Sequence, residues 1–353
     1  TLTDADGDTS SANLFVKSRL PNPAIDPDPI WTPITTPSSW DKNDVGNKTY
    51  VAGIGDQAIR GRDSGSSTIY GDSDTNVTAT GNDILFGYDR SDTLYGGGGN
   101  DQLNGGSGDD TIYGDSIPAG DAYLPGNDII DGGSGNDTLF GDQGDDIIQG
   151  GTGDDVISAG QGRDQVYGGD GNDTIDGDES NDYLMGEAGN DIVRGGTGND
   201  ILKGGLGADT LDGGADDDFL VGGAGNDTLT GGIGVDVFRW ELADRGTAGT
   251  PATDTVTDFD PQPAASGGDI LDLRDLLQGE DQLSGNLDDY LHFEKSGSDT
   301  IVHVSSQGNF DSGYSSSFDD QTITLQNIDL GAGTMTDQQI IQDMLTKGKL
   351  ITD

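Results

Sequence analysis

The 353-residue chain carries 65 acidic residues against 16 basic ones, a formal charge of −49, which argues against nucleic acid or anionic lipid as partners and for cations. Only 31% of its residues are hydrophobic and 61 are glycine, a balance that gives a weak core unless something else supplies stability. There is no cysteine and only two histidines, His292 and His303, which excludes disulfides, thiolate sites and histidine-rich metal sites and leaves oxygen donors.

No apolar run approaches the roughly 18 residues that span a bilayer, so no membrane span is expected. No basic-plus-apolar signal stands at the N-terminus, and a start at Thr1 without methionine points to a piece of something longer. Residues 1–16, TLTDADGDTSSANLFV, pair an acidic loop with an alternating strand that ends at Val16. They resemble the last strands of the Ig-like repeats of giant bacterial adhesins, the plain alternative being an arbitrary strand. Residues 17–50 hold Pro21, Pro23, Pro27, Pro29, Pro33 and Pro37, which argue against regular structure and for a stiff linker. In residues 51–80, Ile54, Ile59 and Ile69 suggest degenerate coils without matching aspartates, a cap over a sheet edge that would otherwise be exposed.

From Asp83 onward the chain repeats itself. Aspartates stand at Asp83, Asp92, Asp101 and Asp110, then at Asp128, Asp137, Asp146, Asp155, Asp164, Asp173, Asp182, Asp191, Asp200, Asp209, Asp218, Asp227 and Asp236, nine apart but for one double step. Two residues after every one is an apolar residue, from Leu85 to Phe238. Two residues before, glycine is usual, with Arg90, Ser180 and Asp216 as exceptions. A unit such as GGSGNDTLF, residues 132–140, therefore reads as a six-residue glycine-rich turn and a three-residue strand with one inward apolar side chain. Two units make a coil of 18 residues, and coils stacked about 4.8 Å apart in a parallel arrangement line up aspartates such as Asp137 and Asp155. Two carboxylates at that spacing repel by roughly 3 to 4 kcal/mol at an effective dielectric near 20, so the stack needs a bound cation. Carboxylates plus loop carbonyls, without nitrogen or sulfur, suit a hard cation, and calcium tolerates an irregular oxygen shell better than magnesium.

These units resemble the GGxGxDxUx nonapeptide of RTX proteins, whose parallel β-roll binds calcium in its turns. The resemblance implies an all-β fold, a calcium-bound parallel β-roll over residues 81–240. It also implies ions shared between pairs such as Asp128 and Asp146, Asp137 and Asp155, or Asp173 and Asp191, with backbone carbonyls completing each shell. The double step departs from the pattern: GDSIPAGDAYLPG, residues 114–126, puts Ala119 where an aspartate was due. That segment reads as an outward loop in phase with the roll, and the two sites that would use position 119 are in doubt.

Residues 241–353 change in composition. Alternation in TVTDF (255–259), DTIVHV (299–304) and QTITLQNI (321–328) predicts a small C-terminal β domain that caps the roll. The acidic run Asp254, Asp258, Asp260, Asp269 and Asp272, around TDFDPQPAASGGDILDLRDLL, resembles the start of the target domain of type I secreted proteins, and is either a further ion site or solvated surface. A terminal helix is signalled by Thr336 as N-cap with Gln339 as its capping-box partner, a Met335 and Ile340 staple, an apolar face of Ile340, Ile341, Met344 and Leu345, and Gly348 near the stop. The resemblance implies that the extreme C-terminus, ending LITD, acts uncleaved as an export signal.

Catalytic signatures are not found: HExxH is missing, the GDS tripeptides at Gly71 and Gly114 have no matching histidine nearby, and GYSSS at Gly313 reads as a loop. The rank three residues before the aspartate, Ser107, Ser134, Gln143, Thr152, Gln161 and onward, is too irregular for an ice-binding surface. The element order resembles the C-terminal region of a large bacterial RTX adhesin. The resemblance implies no enzymatic activity, secretion to the surface of a Gram-negative bacterium, a monomer, and as partners the type I secretion machinery and upstream adhesin domains. The alternative from another class is the RTX tail of a secreted protease or lipase.

Overall fold

Each nine-residue unit contributes one strand, and successive units pass alternately to two stacked sheets. The computed structural model describes residues 66–71, 81–115, 125–277, 287–311 and 313–352, with the strands Leu2–Thr3, Thr9–Ser10, Phe15–Lys17, Trp31–Pro33, Lys48–Val51 and Ala58–Arg60. Among the described residues one sheet has 12 strands, from Ala58–Arg60 to Leu350–Ile351, and the other has 14, from Lys48–Val51 to Leu291–Ser296. Neighbours within the repeat are parallel and in register at a step of 18 residues: Thr138 lies opposite Val156, and Leu139 opposite Ile157. The fold is thus the expected parallel β-roll.

The apolar residue two after each aspartate points inward, and from Leu85 to Phe238 these side chains are 0 to 1% exposed. They form one continuous core from Ile59 to Leu350. Strands are longer than the three residues expected. In Thr138–Gln143 the ladder skips Gly141 and resumes at Asp142 and Gln143, which face Gly160 and Gln161. Identical turns stack on one another, so their backbones continue the pairing beyond the strand proper.

Across the double step the register becomes 27: Leu103 faces Ile130, and Ile112 faces Leu139. Position 119 itself lies outside the described residues. The aspartate pairing passes directly from Asp101 to Asp128 and from Asp110 to Asp137 without using that position. Tyr70, Tyr95, Tyr113 and Phe140 stack outside the roll with centroids 4.8, 4.9 and 4.8 Å apart, carrying contact across that step. Such pairs contribute about 0.5–1.5 kcal/mol each.

Both ends depart from the sequence reading. Trp31–Pro33 pairs antiparallel with Phe15–Lys17, so the proline-rich stretch does hold a short strand, with Pro33 at its terminal position where proline is tolerated. Lys48–Val51 and Ser67–Tyr70 extend one sheet in parallel, with Ile69 fully buried, and Ile59 is 6% exposed on the other; Ile54 lies outside the described residues. After Phe238 the repeat stops but the ladders do not. Ala252–Val256 and then Gln321–Leu325 extend one sheet, while Ile270–Asp272 and Leu350–Ile351 extend the other. Leu291–Ser296 and Asp299–Val304 add an antiparallel meander. The helix Asp337–Lys347 carries the full capping box at Thr336 and Gln339, ends at Gly348 with φ 70°, and buries Ile340, Ile341 and Met344, while Met335 remains 38% exposed.

The three non-glycine residues two before an aspartate are held at positive φ: Arg90 at 76°, Ser180 at 88° and Asp216 at 80°. A side chain in that region costs about 1–2 kcal/mol, offset in part by the extra unfolded-state freedom of glycine. Ser180→Gly is therefore expected to stabilise the calcium-loaded roll by about 0.5–1 kcal/mol, read as a higher thermal midpoint; an unchanged or lower midpoint would show that the turn is unstrained.

Candidate metal centre

Alternation between sheets sorts the seventeen aspartates into two columns. Asp83, Asp101, Asp128, Asp146, Asp164, Asp182, Asp200, Asp218 and Asp236 follow one edge; Asp92, Asp110, Asp137, Asp155, Asp173, Asp191, Asp209 and Asp227 follow the other. All are 0 to 3% exposed. Each closes a glycine turn, and its backbone N–H donates to Oδ1 of the aspartate one coil on, at 2.7 to 2.9 Å throughout the repeat. The pairs Asp128 and Asp146, Asp137 and Asp155, and Asp173 and Asp191 are neighbours in this sense.

One carboxylate oxygen is thereby satisfied and the other is not. Oδ2 of Asp110, Asp128, Asp137 and Asp146, and of every repeat aspartate from Asp155 to Asp227, is buried without a hydrogen-bond partner. The space beside these oxygens is kept open by glycine. A Cβ on Gly132 would lie 2.5 Å from Asp137 Oδ2 and 2.7 Å from the Gly150 carbonyl oxygen; one on Gly177 would lie 2.6 Å from the Gly195 carbonyl oxygen and 2.7 Å from Asp182 Oδ2. No three acidic or imidazole side chains gather at one point among the described residues, so any shell here is one or two carboxylates completed by carbonyls. A hard divalent ion with six to eight oxygen ligands fits this donor set; a nitrogen- or thiolate-seeking metal does not.

Burial is the first cause that drives these carboxyls upward: Asp110 to about 8, Asp146 and Asp182 to about 9, Asp218 and Asp227 to about 8. The backbone N–H on Oδ1 opposes the rise, and neighbouring carboxylates add to it.

Sequence reasoning missed three features. The residue before each column aspartate forms a second, exposed rank: Asn100 N–H donates to Asn82 Oδ1 at 3.1 Å, Asp154 N–H to Asn136 Oδ1 at 3.1 Å, and Asn190 N–H to Asn172 Oδ1 at 3.0 Å. The recurrent Asn or Asp before the aspartate was its signal. Asp115, 4% exposed, has its carboxyl raised to about 9, first by burial and then by the nearby Asp128 carboxylate.

The third feature is how the columns end. Asp254 Oδ1 accepts the Asp227 N–H at 2.8 Å, but its Oδ2 accepts both Trp240 Nε1 and Gln321 Nε2 at 2.6 Å. Asp269 Oδ1 accepts the Asp236 N–H at 3.1 Å and its Oδ2 the Asp260 N–H at 2.6 Å, while the ammonium of Lys349, a residue 2% exposed, lends it positive charge and donates to the Asp260 carbonyl at 2.5 Å. Fixed protein donors thus occupy the oxygens that are left over elsewhere. Asp258 accepts Gly231 and Gly232 N–H while itself exposed, and Asp272 is buried and pairs with Arg274, so this acidic run is solvated surface only in part.

Two expectations follow. Because folding raises these carboxyl pKa values above the unfolded value near 3.8, the metal-free fold binds protons; its stability is full below about pH 4 and is lost as pH rises through about 6 to 9. Far-UV circular dichroism of the chain in EGTA should therefore show β signal growing from pH 8 to pH 4, and a flat profile would contradict the burial of the columns. Gln321→Leu should lower the thermal midpoint in saturating calcium by the equivalent of about 1.5–3 kcal/mol, the range for a hydrogen bond to a charged group; no change would mean that Asp254 is held otherwise.

A family model described as the RTX calcium-binding nonapeptide repeat (4 copies) matches residues 77–112, 124–157, 140–175, 149–184, 167–202, 176–211 and 203–238. Among solved structures, the chain is similar to the AlgE6R2 subunit of an Azotobacter vinelandii mannuronan C5-epimerase, with 23% identity over 50% of this chain and 90% of that one and a TM-score of 0.27. It is also similar to the AlgE6R3 subunit of the same enzyme, with 21% identity over 54% and 72% and a TM-score of 0.20. No curated protein matches the chain. The repeat from Asp83 to Asp236 is a run of RTX calcium-binding nonapeptide repeats folded as a parallel β-roll.

Proposed function

We propose that the two aspartate columns hold a series of calcium ions, and that calcium converts this chain from an unfolded to a folded state outside the cell. The observation that carries the proposal is the buried, unpartnered Oδ2 repeated coil after coil from Asp110 to Asp227. In the metal-free fold these groups are protonated or repel one another; at neutral pH with millimolar calcium each gains a cation. The repeat aspartates from Asp83 to Asp236 supply the carboxylates, and first-glycine carbonyls such as those of Gly150 and Gly195 supply further oxygens.

On this reading the chain is a non-catalytic part of a secreted RTX adhesin, a stiff calcium-loaded rod at the surface of a Gram-negative bacterium. The continuous core from Ile59 to Leu350 favours a rod that transmits tension rather than a string of beads. Type I export carries the C-terminus out first, still unfolded; the last strand, Leu350–Ile351, then closes against Ile270–Asp272 on the outside.

A calcium titration from EGTA to about 10 mM, followed by far-UV circular dichroism with magnesium as control, tests the first part. A cooperative gain of β signal with calcium alone is expected, with a midpoint at or below about 1 mM. A complete β spectrum in EGTA at pH 7.5 would remove the folding switch. For the second part, deletion of residues 300–353 is expected to abolish secretion through a type I system, and normal secretion of the truncated chain would remove the export role.

A further inference from the structure

The chain's two histidines face each other. His292 and His303 are directly opposite in the antiparallel pair Leu291–Ser296 and Asp299–Val304, with ring centroids 5.7 Å apart. Each ring is oriented by its own carboxylate: His292 Nδ1 lies 2.8 Å from Asp337 Oδ2, at the start of the terminal helix, and His303 Nδ1 lies 2.9 Å from Asp319 Oδ2. Tyr314 fixes the pair further, its ring stacked on His292 at 4.0 Å and its hydroxyl 3.1 Å from both His303 Nδ1 and Asp319 Oδ2. A carboxylate only accepts, so each Nδ1 carries the proton and the neutral ring keeps its lone pair on Nε2. His303 is 8% exposed and its Nε2 is buried without a hydrogen-bond partner. Glu294 Oε2, two residues along from His292 and on the same face of the strand, lies 3.4 Å from that Nε2 without forming a hydrogen bond.

We propose that His292 and His303, with Glu294 as third ligand, form a site for a zinc-type divalent transition metal, separate from the calcium columns. The donor chemistry differs in kind from that of the roll: imidazole nitrogen suits zinc, whereas calcium takes oxygen. Dimensions agree as well. A tetrahedral shell with Zn–N of about 2.0–2.1 Å puts ligand atoms about 3.3 Å apart and two imidazole centroids about 5 Å apart, against 3.4 Å and 5.7 Å here. The Asp–His pairs are the outer-shell contacts that set the tautomer and basicity of metal-binding imidazoles. The three donors do not yet close round one point, and the Glu294 side chain, 52% exposed, is the one with room to turn inward. Bound there, the metal would tie the meander to the helix start and to the Asp319 segment through their shared carboxylates.

The test uses the whole chain with its calcium sites saturated. After incubation with zinc and desalting, elemental analysis should find about one zinc per chain, and cobalt in its place should give the visible absorption of a four-coordinate nitrogen and oxygen site. The His292→Gln/His303→Gln double variant should lose both signals while keeping its calcium-dependent β spectrum, and Asp337→Asn should weaken zinc binding about 10–100-fold. No zinc and no cobalt band on the unmodified chain would overturn the proposal whether or not the variants fold. Equal zinc on the double variant would overturn it too, by placing the metal in the aspartate columns.

Discussion

Everything in this molecule depends on how one carboxylate divides its two oxygens. Oδ1 of each repeat aspartate is consumed by the backbone N–H of the coil before it, which fixes the 18-residue register and draws the carboxylate out of water. From Asp110 to Asp227, Oδ2 is then buried by the same geometry with nothing of the protein's own to meet it. An uncompensated buried charge costs several kcal/mol, so the fold and the site cannot be separated: the bond that builds the stack creates the requirement for a cation. Other features follow from keeping that space open. Glycine is needed where Gly132 or Gly177 stands because any Cβ would occupy the space that the carboxylate and carbonyl oxygens share. The thin core, two aliphatic side chains per coil, is enough only because it does not carry the fold alone.

The ends of the columns solve the same problem without an ion. Beyond Asp227 and Asp236, the next aspartates in line, Asp254 and Asp269, hand their second oxygens to Trp240, Gln321 and the Asp260 backbone, with the Lys349 ammonium close by. At the other end the Ser67 N–H donates to Asp92 Oδ1, so the column starts from a residue with no carboxylate to satisfy. A solenoid needs such terminators because every internal coil leans on the next one.

How much of this the sequence disclosed depends on whether the information is periodic. The aspartates, their inward partners and the parallel roll are set by a nine-residue step that survives from Asp83 to Asp236. The terminal helix was also legible, because Thr336, Gln339 and Gly348 act within a few residues of one another. What escaped is what the period does not carry. Asp254 and Asp269 continue the columns, but at steps of 27 and 33 residues, so they read as an unordered acidic run. Their partners Trp240, Gln321 and Lys349 are separated from them by 14 to 80 residues, beyond any local pattern. The double step misled for the opposite reason: a break in the period looked like a break in the column, whereas pairing of Asp101 with Asp128 and Asp110 with Asp137 simply passes it by.

The two ends are unequal, and that asymmetry gives folding a direction. An internal coil gains its cation only when the neighbouring coil is already in place to offer a carbonyl and to bind its Oδ1, so an isolated coil in mid-chain has neither ligands nor register. The last coils differ, because Trp240, Gln321 and Lys349 compensate Asp254 and Asp269 with fixed donors, and the meander and helix bury Leu291, Val302, Ile323, Ile340 and Met344 against the roll. That end can close with the fewest ions and then present Asp236 and Asp227 in position for the next coil. On the calcium-coupled folding proposed above, order would spread from residue 350 toward residue 67, each coil templating the one before it. On an export route that releases the C-terminus first, the end that needs the least calcium is also the first to reach it.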